Sequence, residues 1–147
     1  MFAGRRLLLL WLVLLALPAA AIEYRSVDVP AAILYDTPSQ KGSKLYLVKQ
    51  YTPLEVVVRL EGWIKVRDAE GTLAWIEAKL VSDKRMVVVT ATRADVHREA
   101  SPESPLAFEA EKWVALELIE QGPPGWVKVK HRDGALGYVK QTLIWGL

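Results

Sequence analysis

Most of this sequence is written twice. Residues 63–76, WIKVRDAEGTLAWI, align without a gap on residues 126–139, WVKVKHRDGALGYV. Trp, Lys, Val, Gly and Leu recur at the same offsets, and outside the hairpin loop the other apolar positions stay apolar or small. Upstream, Leu54 to Val57 match Leu116 to Ile119, in a register one residue shorter. The Gly122-Pro-Pro-Gly125 turn is longer than Leu60-Glu-Gly62 and accounts for that shift. Further upstream, Leu34 to Gln40 can be laid on Val96 to Pro102. A duplication of this kind fixes the organisation before any element is assigned. The units run over residues 26–81 and 85–147, and whatever one unit folds into, the other must fold into as well.

Each unit reads as β. Leu45–Val48, Glu55–Leu60, Trp63–Arg67 and Leu73–Ile76 are short runs rich in β-branched and aromatic residues. Turn chemistry separates them at Thr37-Pro38-Ser39, Thr52-Pro53, Glu61-Gly62 and Asp68 to Gly71. Asp133-Gly134 is the sharper hairpin signal, since glycine takes a positive φ at little steric cost. No stretch shows a sustained helical period. Short strands at this spacing imply a small curled barrel, about five strands in each unit.

Alternation then assigns faces. Along Trp63-Ile-Lys-Val-Arg67, Ile64 and Val66 share one side and Trp63, Lys65 and Arg67 the other. The charges mark the second side as wet, which places Trp63 on it. Across the hairpin, Ala74 and Ile76 fall inside, with Leu73 and Trp75 outside. The second unit repeats the pattern, with Val127 and Val129 inside and Trp126 and Tyr138 outside. Each barrel is therefore expected to carry an outward aromatic pair on adjacent strands.

Ile33-Leu-Tyr-Asp36, Glu61-Gly-Trp63 with Val66 three residues on, and Gly71-Thr-Leu-Ala-Trp-Ile76 together resemble a Src-homology-3-type barrel. The order is similar to the bacterial SH3-like domains of exported proteins, with Gly-Trp before a strand and Gly-x-x-Gly-Trp-Val after the hairpin. The second unit carries it more fully, as Gly125-Trp126 and Gly134-Ala-Leu-Gly-Tyr-Val139. The resemblance implies an all-β fold of two five-stranded SH3-like barrels in tandem, and a non-catalytic binding module of the cell envelope. Eukaryotic domains of this shape bind proline-rich peptides between groove aromatics, and Tyr35, Trp63 and Trp75 match three of those positions. Thr37 and Glu77 stand where a second tyrosine and the groove proline would be, so a ligand face is implied and a proline-rich ligand is not. The implied ligand-binding residues are Tyr35, Trp63, Trp75, Trp126 and Tyr138, and the implied partners are cell-wall peptide or glycan, or an envelope protein. Burial of these aromatics against a partner or the sister barrel is the competing reading.

The N-terminus supports export. Arg5 and Arg6 precede an apolar run from Leu7 to Leu17, Pro18 breaks it, and Ala19 to Ala21 supply small residues for signal peptidase. Residues 1–21 are expected to be a cleaved leader, leaving Ile22 first in an exported protein, periplasmic in the first reading and otherwise secreted or cell-wall associated. An uncleaved anchor would need about 20 apolar residues, and Pro18 interrupts that length. Of the 19 Lys and Arg residues, Arg5 and Arg6 lie in the leader, which leaves 17 to set against 17 Asp and Glu. Without a basic excess there is no general drive onto nucleic-acid phosphates.

Enzymatic readings find little footing. No cysteine is present, which removes both a thiol nucleophile and a lipid anchor on cysteine. His97 and His131 lie in different units without metal-ligand spacing. No serine sits on a nucleophile elbow. Glu109 and Glu111 are two apart on one wet strand face, and Gly122–Gly125 reads as a β connection rather than a phosphate cradle. Neither a cofactor nor a metal is expected.

Overall fold

The computed structural model describes residue 16 and residues 20–147, so the leader expected over residues 1–21 lies almost wholly outside the described residues. The first unit contains β1 (Tyr24–Val27), β2 (Ala31–Tyr35), β3 (Lys44–Lys49), β4 (Pro53–Leu60), β5 (Trp63–Arg67), β6 (Leu73–Glu77) and β7 (Val81–Ser82). The second contains β8 (Met86–Val89), β9 (Arg93–His97), β10 (Leu106–Glu111), β11 (Ala115–Gln121), β12 (Trp126–Lys130), β13 (Leu136–Lys140) and β14 (Ile144–Trp145). The sheet orders are β3-β2-β6-β5-β4-β1-β7 and β10-β9-β13-β12-β11-β8-β14, antiparallel at every pairing, so the two sheets have one topology. A 3-10 turn, Ala78–Leu80 or Gln141–Leu143, precedes the last strand of each.

The five-stranded core expected from the sequence is present, with β1 and β7 added to it in the first unit. These two pair with each other, Ser26 opposite Ser82 and Val27 opposite Val81. Strands of four and two residues are too short to display a period of two, which is why only pairing exposes them.

Hydrophobic burial explains the duplication position by position. The first core is built from Val27, Leu34, Leu54, Ile64, Val66 and Ile76, with Ala32, Val48 and Ala74 completing it. The second places Val89, Val96, Leu116, Val127, Val129 and Val139 at the corresponding points. The offset between partners grows by one residue between Leu116 and Val127, across the longer turn where the Gly122 N–H donates to the Trp126 carbonyl. Gly62 and Gly125 have φ of 76° and 87°, the left-handed region that costs glycine little, and each swings the chain directly into the tryptophan that follows.

The two cores remain separate clusters joined by a polar and aromatic seam. The Ser26 hydroxyl, 1% exposed, donates to the Lys84 carbonyl at 2.8 Å. Tyr24 meets Trp145 edge to face, with centroids 5.2 Å apart. Arg85 lies over the Tyr24 ring and donates to the Gly146 carbonyl at 2.9 Å. Among the described residues no helix is long and apolar enough to cross a membrane.

Candidate ligand-binding faces

The outer face of the β5–β6 hairpin is set by register. Trp63 stands opposite Glu77, Lys65 opposite Trp75 and Arg67 opposite Leu73. Trp63 and Trp75 are thus diagonal neighbours, close enough for large rings to share a surface. β2 reaches β6 at the Tyr35–Trp75 pair, and the Tyr35 ring meets Trp63 edge-on at 5.5 Å and 84°. Three residues distant in sequence form one aromatic ledge. Glu77 borders it, accepting from Gln40 Nε2 at 3.0 Å and lying 3.4 Å from the Lys79 ammonium.

The second barrel builds the same ledge with Tyr138 in place of Trp75 and a histidine in place of Tyr35. Trp126 faces Lys140, and Lys128 faces Tyr138, across β12 and β13. β9 reaches β13 at the His97–Tyr138 pair, and His97 meets Trp126 edge-on at 5.6 Å and 84°. His97 therefore occupies the place of Tyr35. Its Nδ1 lies 2.9 Å from the Ser104 carbonyl, an oxygen that only accepts, so Nδ1 is the donor of this hydrogen bond. Lys128 and Lys140 lie 6.0 and 5.9 Å from the Tyr138 and Trp126 ring centres, within cation–π range. The two ledges share an aromatic frame and differ in charge: a carboxylate borders Trp63 and an ammonium borders Trp126.

Alternation placed the aromatics on the outer side, and that side is where they stand; coverage differs. Trp63, Trp75 and Tyr138 are half-buried. Tyr35 is 6% exposed and Trp126 only 9%, so neither is the open groove residue the sequence suggests. Trp126 lies beneath its longer turn: a Cβ on Gly122 would come within 3.4 Å of the tryptophan Cβ. That turn, with His97 and Lys140, covers what the shorter Glu61-Gly62 turn leaves open on Trp63. The five expected residues form two ledges, one per barrel, and not a single site.

Metal-ligand spacing does not reveal the place of His97 beside Trp126. The repeat offset that lays Leu34 on Val96 also lays Tyr35 on His97, and this was the available signal. The same offset pairs Tyr51 with Trp113, two further aromatics that strand alternation passes over because they sit in turns. His131 lies in its hairpin 3.1 Å from the Asp133 carboxylate, and Glu109 and Glu111 are exposed on one strand. Among the described residues, no group of three or more His, Cys, Asp or Glu side chains is arranged to hold a metal ion.

Comparison with known proteins places both units. The bacterial SH3 domain family matches residues 28–83 and again residues 90–146. Among solved structures, the chain is similar to NlpC2 from Trichomonas vaginalis, with 14% identity and a TM-score of 0.40 over 85% of this chain and 48% of that one. It is similar to NlpC1 from the same organism, with 12% identity and a TM-score of 0.40 over 88% and 47%. An NlpC/P60 family protein from Bacillus cereus matches at 15% identity and a TM-score of 0.38, over 84% and 56%. The chain spans about half the length of these structures. No curated protein matches the sequence. With both of its repeats matched, the chain belongs to the bacterial SH3 domain family and carries two such domains in tandem.

Proposed function

We propose that this protein is a non-catalytic binding module of the cell envelope, exported through its N-terminal leader and working in the periplasm. Its two ledges would hold cell-wall peptide or glycan. The observation that carries this reading is the duplicated ledge itself. Both barrels keep ring-on-ring contacts on the face turned away from the core, and Trp63, Trp75 and Tyr138 stay partly open on it. Half-buried Trp and Tyr offer a rigid apolar surface with a polar edge, which suits a ligand that is itself amphipathic. The opposite charges beside Trp63 and Trp126 suit different parts of a ligand, with Glu77 favouring a cationic group and Lys140 an anionic one.

The alternative, a scaffold whose ledges are covered by a partner protein, is separated by the same assay. Purified protein is sedimented with isolated cell-wall sacculi, and Trp63→Ala and Trp75→Ala are compared with the parent. A ring at the centre of a binding site contributes about 2 kcal/mol or more, some thirty-fold in affinity. Loss of that size with an unchanged fold supports the envelope ligand. Undiminished sedimentation of both variants refutes the ledge as the site, and no sedimentation by the parent favours the scaffold.

A further inference from the structure

One wide concavity lies away from both ledges. A cleft of about 960 Å3 lies between the barrels, lined by equivalent parts of both. Each barrel contributes the turn after its third strand, bearing Tyr51 or Trp113, and the hairpin loop after its fifth, 68–70 or 130–132. The volume is that of a ligand site.

The two turns are unusual. Tyr51 and Trp113 have φ of 68° and 71°, and no other residue except glycine has a positive φ among the described residues. Each N–H donates at 2.8 Å to a core-strand carbonyl, Val27 or Val89, which holds the turn in that conformation. A bulky side chain in the left-handed region costs about 1–3 kcal/mol, and such residues persist where the surroundings enforce them and gather at functional sites. Glycine would suit either turn better. An aromatic ring occurs instead, twice, and both rings line the same cleft. Trp113 remains 45% exposed.

The two hairpins carry opposite charge, while Lys49 lies on the first wall and Lys84 and Glu117 pair with each other within the cleft. The loop of the first barrel brings Asp68 and Glu70, and that of the second brings Lys130 and Arg132. Asp68 is committed to its own turn and to the Tyr46 hydroxyl, which leaves Glu70 as the free carboxylate. Neither Glu70 nor Lys130 nor Arg132 is in an ion pair among the described residues. A third feature selects the kind of ligand. β3 is the terminal strand of its sheet, and four consecutive residues, Tyr46 to Lys49, line the cleft. Since side chains alternate along a strand, a wall of consecutive residues is approached along its edge, where unpaired N–H and C=O groups lie. An edge of that kind recognises another polypeptide backbone.

The geometry points to a second binding site in this cleft, for a short extended peptide with both free ends charged. The backbone pairs along β3, the body packs on Tyr51 and Trp113, the amine turns to Glu70 and the carboxylate to Lys130 and Arg132. This site is separate from the ledges, and its occupant is identified independently of theirs.

Tetra-alanine with free termini is the probe, titrated into the 15N-labelled protein beside N-acetyl-tetra-alanine, tetra-alanine amide and chitotetraose. The free peptide is expected to shift the amides of Leu47, Tyr51 and Trp113, and blocking either end is expected to weaken binding about tenfold, the value of one charge-assisted hydrogen bond. Trp113→Ala should abolish these shifts while Trp75→Ala leaves them, which separates the cleft from the ledges. Glu70→Lys and Arg132→Glu should each weaken binding, and the two together should restore it by accepting the peptide in reverse. Thermal melts confirm that each variant is folded. Equal affinity for the blocked peptides, shifts centred on Trp75 and Tyr138, or a response to chitotetraose alone would each overturn the proposal.

Discussion

Trp63 and Trp126 occupy one position of the repeat, yet truncation should separate them by about 2 kcal/mol. Trp126 is 9% exposed, enclosed by the Gly122–Gly125 turn, the edge of His97 and the Lys140 ammonium. Removing a buried tryptophan side chain costs roughly 3–5 kcal/mol through lost transfer energy and the cavity left behind. Trp63 is half-buried, with Tyr35 as its aromatic contact. It forfeits an edge-to-face pair worth about 0.5–1.5 kcal/mol and a fraction of its burial, for a total of about 1–2 kcal/mol. Because each variant acts on its own barrel, a single melting curve would blur them. Amide exchange at Val66 and Val129, one in each core, reads the barrels apart. Trp126→Ala should speed exchange at Val129 about thirty-fold more than Trp63→Ala speeds it at Val66, since 1.4 kcal/mol is a factor of ten. Ile64→Ala, at a site 3% exposed, should cost about 2–5 kcal/mol and serves as the core reference. If Trp63→Ala is as damaging as Ile64→Ala, the ring is a core residue and the ledge loses its main support.

Gly137 stands where the first barrel has Ala74, but a Cβ there would lie 2.6 Å from the His97 carbonyl oxygen and 2.7 Å from Val96. Gly137→Ala should therefore destabilise the second barrel by about 1–3 kcal/mol through overpacking, measured by urea unfolding, and a neutral result would show that β9 yields. Burial, with its hydrogen bond to Asp68, pushes the Tyr46 phenol well above its ordinary value, and burial does the same for Tyr24 to a smaller extent. The protonated rings thus favour the folded state. Their contribution is complete below the unfolded value of about 10 and is lost as pH rises beyond it. Stability should fall above that pH, Tyr46→Phe should flatten the decline, and an absorbance titration placing Tyr46 near its ordinary value would refute this.

Much of the fold was legible because two signals coincided. Period-two alternation in Trp63–Arg67 and Leu73–Glu77 gave the inward residues, and the repeat repeated the assignment in Trp126–Lys130 and Leu136–Lys140. The short strands β1 and β7 were not legible, since their identity lies in pairing with each other. For the ledges, alternation named Trp63, Trp75, Trp126 and Tyr138 as outward aromatics and the family resemblance added Tyr35, but neither gave their cover, and His97 stayed among unused histidines.

What the sequence determined by itself is local and periodic: an all-β chain, two copies of one unit, the direction in which each strand side chain points, and the turns where glycine is needed. Alternation is a property of the strand backbone and survives without knowledge of what lies opposite. Tertiary structure decided everything that depends on what covers a residue from outside its own strand. Trp126 is buried because a turn, a histidine from β9 and a lysine from β13 converge on it, whereas Trp63, identical in pattern, keeps part of its ring open. Tyr51 and Trp113, 62 positions apart, line one cleft only because the seam through Ser26, Tyr24 and Trp145 holds the barrels together. Facing is set by chain geometry, whereas exposure is set by neighbours that no linear spacing records.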